Sequence, residues 1–163
     1  MEIDKKIVMT GGGSGGHVSV ATALIKELEK RYENLSDKFL YIGGDLGMEG
    51  DTDPRSIEER RLSGQGFKFV KIRVGKLQRT FTPNTVSLFF RSFLGILDSF
   101  KILKNFAPDL VISTGGFVSL PVVLSANFLK IPVYIHEQTA PVGLTNKIAG
   151  KFAKKIFVTF KES

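Results

Sequence analysis

Residues 6–17 read Lys6-Ile7-Val8-Met9-Thr10-Gly11-Gly12-Gly13-Ser14-Gly15-Gly16-His17, and this run decides the fold. The β-branched stretch from Lys6 to Thr10 reads as a strand, and the glycines after it interrupt any regular pattern. From Val20 to Tyr32, Val20, Leu24 and Leu28 recur at helical spacing. Strand, glycine turn and helix in this order begin an α/β domain, and the same alternation continues to the end of the chain. The remaining strands are expected at Phe39 to Ile42, Phe67 to Ile72, Leu110 to Ser113, Val133 to His136 and Ile156 to Thr159. The helices between them are expected at Ile57 to Leu62, from Pro83 to a point before Pro108, at Leu120 to Leu129 and at Val142 to Phe152; proline suits a first turn and a position past a helix end. The glycine-dense Gly43 to Gly50 reads as a mobile loop. The fold class is therefore α/β, a doubly wound, Rossmann-like parallel sheet, with residues 1–163 forming one domain.

In such a sheet, ligands bind beyond the carboxyl ends of the strands, where the strand order reverses. Three loops qualify. The first is the glycine run entering helix one, whose backbone N–H groups and positive helix end face an anion. The second, Thr114-Gly115-Gly116-Phe117-Val118-Ser119, follows the fourth strand. The third, His136-Glu137-Gln138-Thr139, closes the fifth. Together they predict a polar, phosphate-compatible pocket. Gly11, Gly13 and Gly16 also satisfy G-x-G-x-x-G, but a dinucleotide site needs an acid directly after the second strand. This chain has Gly43-Gly44 there, with Asp45 only beyond them, so that reading is set aside.

His17 lies against the glycine turn and is the candidate proton acceptor; the plainer alternative is a histidine capping the helix start. His136 is read as packed rather than catalytic. Glu137 is a candidate either as proton acceptor or as the group that orients a substrate hydroxyl. No His, Cys, Asp and Glu cluster has metal-ligand spacing, so no protein-held metal is expected.

Composition narrows the class further. With no cysteine there is no disulfide framework, thiolate metal site or cysteine nucleophile, and a reducing compartment is suited. The charged start lacks the apolar stretch of a secretory signal, so export is not expected. Val86 to Leu103 is apolar but interrupted by Arg91, Ser92, Asp98, Ser99 and Lys101, which argues against a membrane-spanning helix. A net charge of +7 favours a polyanionic partner. The charge concentrates at Lys68, Lys71, Arg73, Lys76, Arg79, Arg91, Lys101 and Lys104, a stretch whose one acid is Asp98.

Four motifs taken jointly carry a resemblance: Gly12-Gly13-Ser14-Gly15-Gly16-His17, Gly115-Gly116-Phe117-Val118-Ser119, His136-Glu137-Gln138 and Gly143-Leu144-Thr145-Asn146-Lys147. In this order and spacing they resemble the N-terminal domain of the MurG family, over essentially the whole chain. The resemblance implies a GT-B glycosyltransferase whose N-terminal domain receives lipid I and whose C-terminal domain, absent from this chain, holds most of UDP-N-acetylglucosamine. It implies inverting transfer of N-acetylglucosamine to lipid I in peptidoglycan synthesis, with no tightly bound cofactor. Carried over by residue, Ser14, Gly15 and Gly16 meet the donor sugar or the acceptor diphosphate, Gly115 and Gly116 line the diphosphate side, and His17 becomes the base for the acceptor C4 hydroxyl. Glu137 and Gln138 shape the acceptor pocket. Val20 and Thr139 depart from the family, which commonly has proline and asparagine there; since that asparagine contacts the donor sugar, Thr139 bears on donor use.

The resemblance also places the protein at the cytoplasmic face of the bacterial plasma membrane, as a peripheral protein. Lys76, Leu77, Arg79 and Phe81 form a short cationic and apolar loop suited to anionic inner-leaflet lipids. Phe89, Phe90, Arg91 and Phe93 follow; Phe90, Phe93 and Leu97 either join that surface or pack on the sheet at helical spacing. Two other readings compete. One is a non-catalytic membrane-docking subunit that presents the lipid acceptor to a separate donor-binding chain. The other, a nucleic-acid-binding module, rests on charge alone and is not adopted, since the basic residues include no recognition helix or stacking motif.

Overall fold

The computed structural model describes residues 1–47, 52–75 and 85–162, with side chains of the long fourth helix from Phe90 onward. Among them, six strands form one sheet: β1 (Ile7–Thr10), β2 (Phe39–Gly44), β3 (Lys68–Ile72), β4 (Leu110–Ser113), β5 (Val133–Glu137) and β6 (Lys155–Val158). Every pairing is parallel and the order is β3-β2-β1-β4-β5-β6. The order reverses at β1, whose Thr10 stands level with Ile42 of β2 and Ser113 of β4. The crossovers contain α1 (Gly15–Arg31), α2 (Leu35–Lys38), α3 (Ile57–Leu62), α4 (Thr85–Phe106), α5 (Ser119–Phe128) and α6 (Leu144–Ala149), the last running into a 3-10 turn at Gly150–Phe152.

Alternation along each strand builds two cores, one on each face. Ile7 and Met9 join Phe39 and Tyr41 beneath Val18, Ala21 and Ile25 of α1. Val8, Leu40, Ile42 and Val111 join Val122, Val123 and Ala126 of α5 and Leu103 of α4. Because both faces are covered, the central strands are apolar throughout rather than alternating with polar residues.

Helix α1 begins at Gly15, five residues before the start expected from the apolar pattern. Glycine weakens a helix by about 1 kcal/mol relative to alanine, which is why Gly15 and Gly16 read as loop. Burying a valine or isoleucine contributes roughly 1.5–3 kcal/mol, so the packing of Val18 and Ile25 outweighs the two glycines. Thus Gly15, Gly16 and His17 form the first helical turn, where N–H groups have no partner within the helix. The four-residue α2 was not expected, β2 runs two residues further to Gly44, and α6 is shorter than the pattern suggested.

Helix α4 decides whether the phenylalanines pack on the sheet. Gly95 rides over β3's exit, where a β-carbon would lie 2.2 Å from the Arg73 carbonyl oxygen, while Ser99 and Leu103 turn inward. The outer side therefore carries Phe90, Phe93 and Leu97, which are 61%, 52% and 43% exposed. Their packing on the sheet is overturned. The basic stretch is also less bare than its sequence suggests: acids from other segments reach it, Glu59 pairing with Lys71 and Asp45 with Arg91, while its own Asp98 pairs with Arg73. Lys76, Leu77, Arg79 and Phe81, and most of the glycine-dense loop's far half, lie outside the described residues.

Candidate active site

The turns after β1, β4 and β5 converge on one crevice, as the switch-point argument requires. The first two are joined directly: Gly12 N–H donates to the Gly115 carbonyl (3.2 Å), and Thr114 N–H donates to the Thr10 carbonyl (2.9 Å). This contact is close enough to demand glycine. A β-carbon at Gly116, where φ is +85°, would sit 2.0 Å from the Gly12 carbonyl oxygen; one at Gly13, φ +76°, would sit 2.0 Å from the Phe117 ring. The two turns interlock, and a pocket of about 230 Å³ opens beside them, lined by Gly12, Gly13, Ser14, His17, Gly116 and Phe117 with Leu144 and Thr145 opposite.

Ser14 is the N-cap of α1, yet its hydroxyl makes no capping bond to the helix. That end of the helix therefore keeps its outward-facing donors. His17 follows on the first turn and its Nδ1–H donates to the Thr114 carbonyl at 2.8 Å. A carbonyl can only accept, so the proton sits on Nδ1 and the lone pair on Nε2. Gln138 Nε2 stands 2.5 Å from the same Nδ1, while Gln138 Oε1 is buried without a partner. A half-turn of the amide brings its oxygen to this side, giving Nδ1–H a second acceptor. Among the described residues nothing donates to His17 Nε2, so its lone pair remains for a ligand hydroxyl.

Glu137 has a different setting from the one its sequence position suggests. It is 2% exposed; Oε1 accepts from the Thr139 N–H (2.9 Å) and hydroxyl (2.6 Å), and Oε2 accepts from Asn146 Nδ2 (2.8 Å). Burial pushes its carboxyl up, but the bonds from Thr139 and Asn146 outweigh burial and hold it below the usual carboxylate range. At neutral pH it is an ionised acceptor already engaged within its own loop. Both expected roles, proton acceptor and partner of a substrate hydroxyl, call for an unengaged carboxylate oxygen; here the carboxylate instead ties the β5 turn to α6. A carboxyl with a depressed folded-state pKa adds stability above the ordinary carboxylate range, lost as pH falls through the lowered value. Thr139 turns its hydroxyl inward to this carboxylate.

The structure thus gathers Ser14, Gly15, Gly16, His17, Gly115, Gly116 and Gln138 around the crevice and sets Glu137 and Thr139 behind it. His136 alternates to the other face of β5, level with Phe157 of β6, and its Nδ1 is buried without a partner, as expected of a packed histidine. Asp45 has no freedom to hold a ribose, since Arg91 Nη2 donates to it at 2.6 Å and Val74 N–H at 3.2 Å. Among the described residues no group of His, Cys, Asp and Glu is arranged to hold a metal ion.

Two residues of consequence escaped sequence reasoning. Asn146 lies inside a quoted motif but had no role until its bond to Glu137 was seen. Glu58 reaches back from α3 to accept from the N–H groups of Gly44 (2.9 Å) and Gly13 (3.3 Å). Burial pushes the Glu58 carboxyl up, against the opposing pull of those N–H bonds. The one signal for it in the sequence is indirect: Gly12, Gly43 and Gly44 leave a volume that some distant side chain must fill.

Comparison with known proteins shows the family and the fold. The family described as the glycosyltransferase family 28 N-terminal domain matches residues 7–158. Two curated UDP-N-acetylglucosamine–N-acetylmuramyl-(pentapeptide) pyrophosphoryl-undecaprenol N-acetylglucosamine transferases, from Natranaerobius thermophilus and Staphylococcus aureus, are 41% and 45% identical over 159 residues. Each alignment covers 97% of this chain, but 40% and 41% of the relative, so the chain spans about two-fifths of their length. The crystal structure of MurG from Acinetobacter baumannii superposes on 96% of the chain with a TM-score of 0.75 and 27% identity, using 41% of that protein. A UDP-GlcNAc 2-epimerase from Methanocaldococcus jannaschii, 14% identical over 96% of this chain and 40% of its own with a TM-score of 0.55, shares the fold alone.

Proposed function

The chain belongs to glycosyltransferase family 28 as its N-terminal domain, and from that membership we propose that it is the acceptor-binding half of an N-acetylglucosaminyltransferase that converts lipid I to lipid II. The observation that carries the proposal is the pairing of two interlocked glycine turns with a histidine whose Nδ1 is held and whose Nε2 lone pair is unengaged. Backbone donors of Ser14, Gly15, Gly16 and Gly116 suit a diphosphate, the Gly115 N–H being held by Ser113 Oγ at 3.2 Å within the turn, and His17 suits a sugar hydroxyl beside it. In this reading UDP-N-acetylglucosamine is held mainly by a second domain facing this crevice.

In the reaction, the acceptor C4 hydroxyl oxygen bonds to the anomeric carbon as the bond from that carbon to UDP breaks. The hydroxyl proton passes to His17 Nε2, and UDP leaves with the bonding pair. One displacement inverts the configuration at that carbon. Gln138 and the Thr114 carbonyl keep the imidazole oriented, while Glu137, through Thr139 and Asn146, holds the turn that carries Gln138. No cofactor enters this scheme. The test is enzymatic: residues 1–163 alone are expected to transfer nothing from UDP-N-acetylglucosamine, and joining a relative's donor-side domain is expected to establish transfer. Turnover by 1–163 alone would contradict the division of labour.

Membrane docking belongs to the same proposal. No helix among the described residues is long and apolar enough to cross a membrane. The exposed Phe90, Phe93 and Leu97 supply an apolar stripe on α4, with Lys101 and Lys104 exposed further along it. This surface, and by their chemistry Lys76, Leu77, Arg79 and Phe81, suit peripheral attachment to anionic lipid at the cytoplasmic face of the plasma membrane. Each basic contact contributes about 1 kcal/mol, so reversing Lys76 and Arg79 to Glu is expected to weaken flotation with anionic vesicles more than tenfold. Undiminished flotation would remove this loop from the docking surface.

A further inference from the structure

The buried acid at the crevice is unexplained by the reaction. Glu58 is 1% exposed, comes from the short α3 and has no ion pair among the described residues. Burying a carboxylate without a cation is costly unless fixed donors satisfy it. Here they are backbone amides from two different turns, Gly13 after β1 and Gly44 at the end of β2. Three glycines make room for it: a β-carbon at Gly12 would lie 2.5 Å from the Glu58 carboxyl carbon, one at Gly43 2.9 Å from its Cγ, and one at Gly44 3.1 Å from its Oε1. From the same side, the buried Tyr41 hydroxyl donates to the Gly11 carbonyl at 2.7 Å. The turn is thus gripped on both flanks of Gly12 by side chains that the sequence places far away.

We propose that Glu58 is a positioning residue, a built-in anion that occupies the β2 side of the first glycine turn and leaves only the β4 side open to the substrate's diphosphate. This rests on the reading of the crevice as a diphosphate site. In a dinucleotide-binding sheet the β2 side receives the ribose. Here that space holds the Glu58 carboxylate, and Asp45, the next acid along, is engaged by Arg91. The Gly13 amide is taken by Glu58 and the Gly115 amide by Ser113 Oγ, so the donors that remain are those of the first turn of α1 and of Gly116 in the turn after β4. Glu58 also fixes Gly13 at its left-handed φ of +76°. The turn is therefore set before the ligand arrives, rather than ordered at the ligand's expense.

The experiment is a titration of the 163-residue chain with inorganic pyrophosphate, followed by amide resonances. In the wild type, shifts are expected at Ser14 to His17 and at Gly115 and Gly116, but not at Gly44. Glu58→Gln replaces one acceptor oxygen by a donor facing an N–H, and is expected to weaken pyrophosphate at least tenfold while amide dispersion elsewhere is kept. A residue that merely supports the fold would lower the melting midpoint and leave the dissociation constant unchanged; that outcome overturns the proposal. Should the variant fail to fold, through-hydrogen-bond couplings from the Gly13 and Gly44 nitrogens to the Glu58 Cδ in the wild type decide it: present in the free and pyrophosphate-bound chain they uphold the built-in anion, absent they overturn it. Wild-type resonances that ignore pyrophosphate altogether, with the couplings present, would instead sink the diphosphate reading on which the proposal rests.

Discussion

In the two-domain enzyme proposed above, His17→Ala is expected to lower kcat by about 10²–10⁴-fold, the range for loss of a general base, with little change in the KM for UDP-N-acetylglucosamine. The split follows from what the imidazole touches. Its Nδ1–H donates to a main-chain carbonyl of Thr114, and its Nε2 meets no donor among the described residues, so truncation removes a lone pair from the crevice without removing an amide from the proposed diphosphate niche. The glycine turns are fixed by other contacts, Gly12 N–H to Gly115 carbonyl and Tyr41 hydroxyl to Gly11 carbonyl. Single-turnover rates with saturating donor read the chemical step directly. Turnover within a few-fold of wild type would exclude His17 as the base.

Gly116→Ala is expected to abolish acceptor binding through two effects acting at once. Its φ of +85° is a conformation that non-glycine residues hold at a cost of order 1–3 kcal/mol. The new methyl group would also begin 2.0 Å from the Gly12 carbonyl oxygen, a contact with main chain that cannot swing away. The two glycine turns must then separate. Gly64→Ala is the matched control, since Gly64 has φ +83° but nothing within 4 Å of an added β-carbon. The expected pattern is a larger loss of thermal stability in Gly116→Ala than in Gly64→Ala, which carries the φ strain alone, with acceptor binding lost only in Gly116→Ala. Acceptor affinity retained in Gly116→Ala would show that the interlock is dispensable.

Much of this was legible before any coordinates. Periodicity located all six strands to within a few residues, because a parallel sheet covered on both faces needs continuous apolar runs such as Phe39 to Ile42. Gly115 and Gly116 stood out because consecutive glycines between a strand and a helix have few uses other than close backbone approach. What remained hidden was set by tertiary contacts. The start of α1 at Gly15 runs against intrinsic propensity and is supported by burial further along the helix. Phe90 and Phe93 share helical spacing with core residues, and only the close passage of Gly95 over Arg73 shows that they lie on the outer side. Glu137 looked available because it ends a strand beside the crevice; the donors that occupy it, Thr139 and Asn146, are unremarkable residues whose arrangement depends on how the β5 turn folds back on α6. Glu58 sits in a short helix, 45 residues from the Gly13 amide it binds.

The most direct test is to titrate residues 1–163 with a soluble, short-chain analogue of lipid I and to follow backbone amide resonances. Saturable shifts at Ser14 to His17 and at Gly115 and Gly116, competed by inorganic pyrophosphate, are expected. Saturable binding that leaves both glycine turns unmoved and shifts residues elsewhere would contradict the assignment of this crevice to the acceptor.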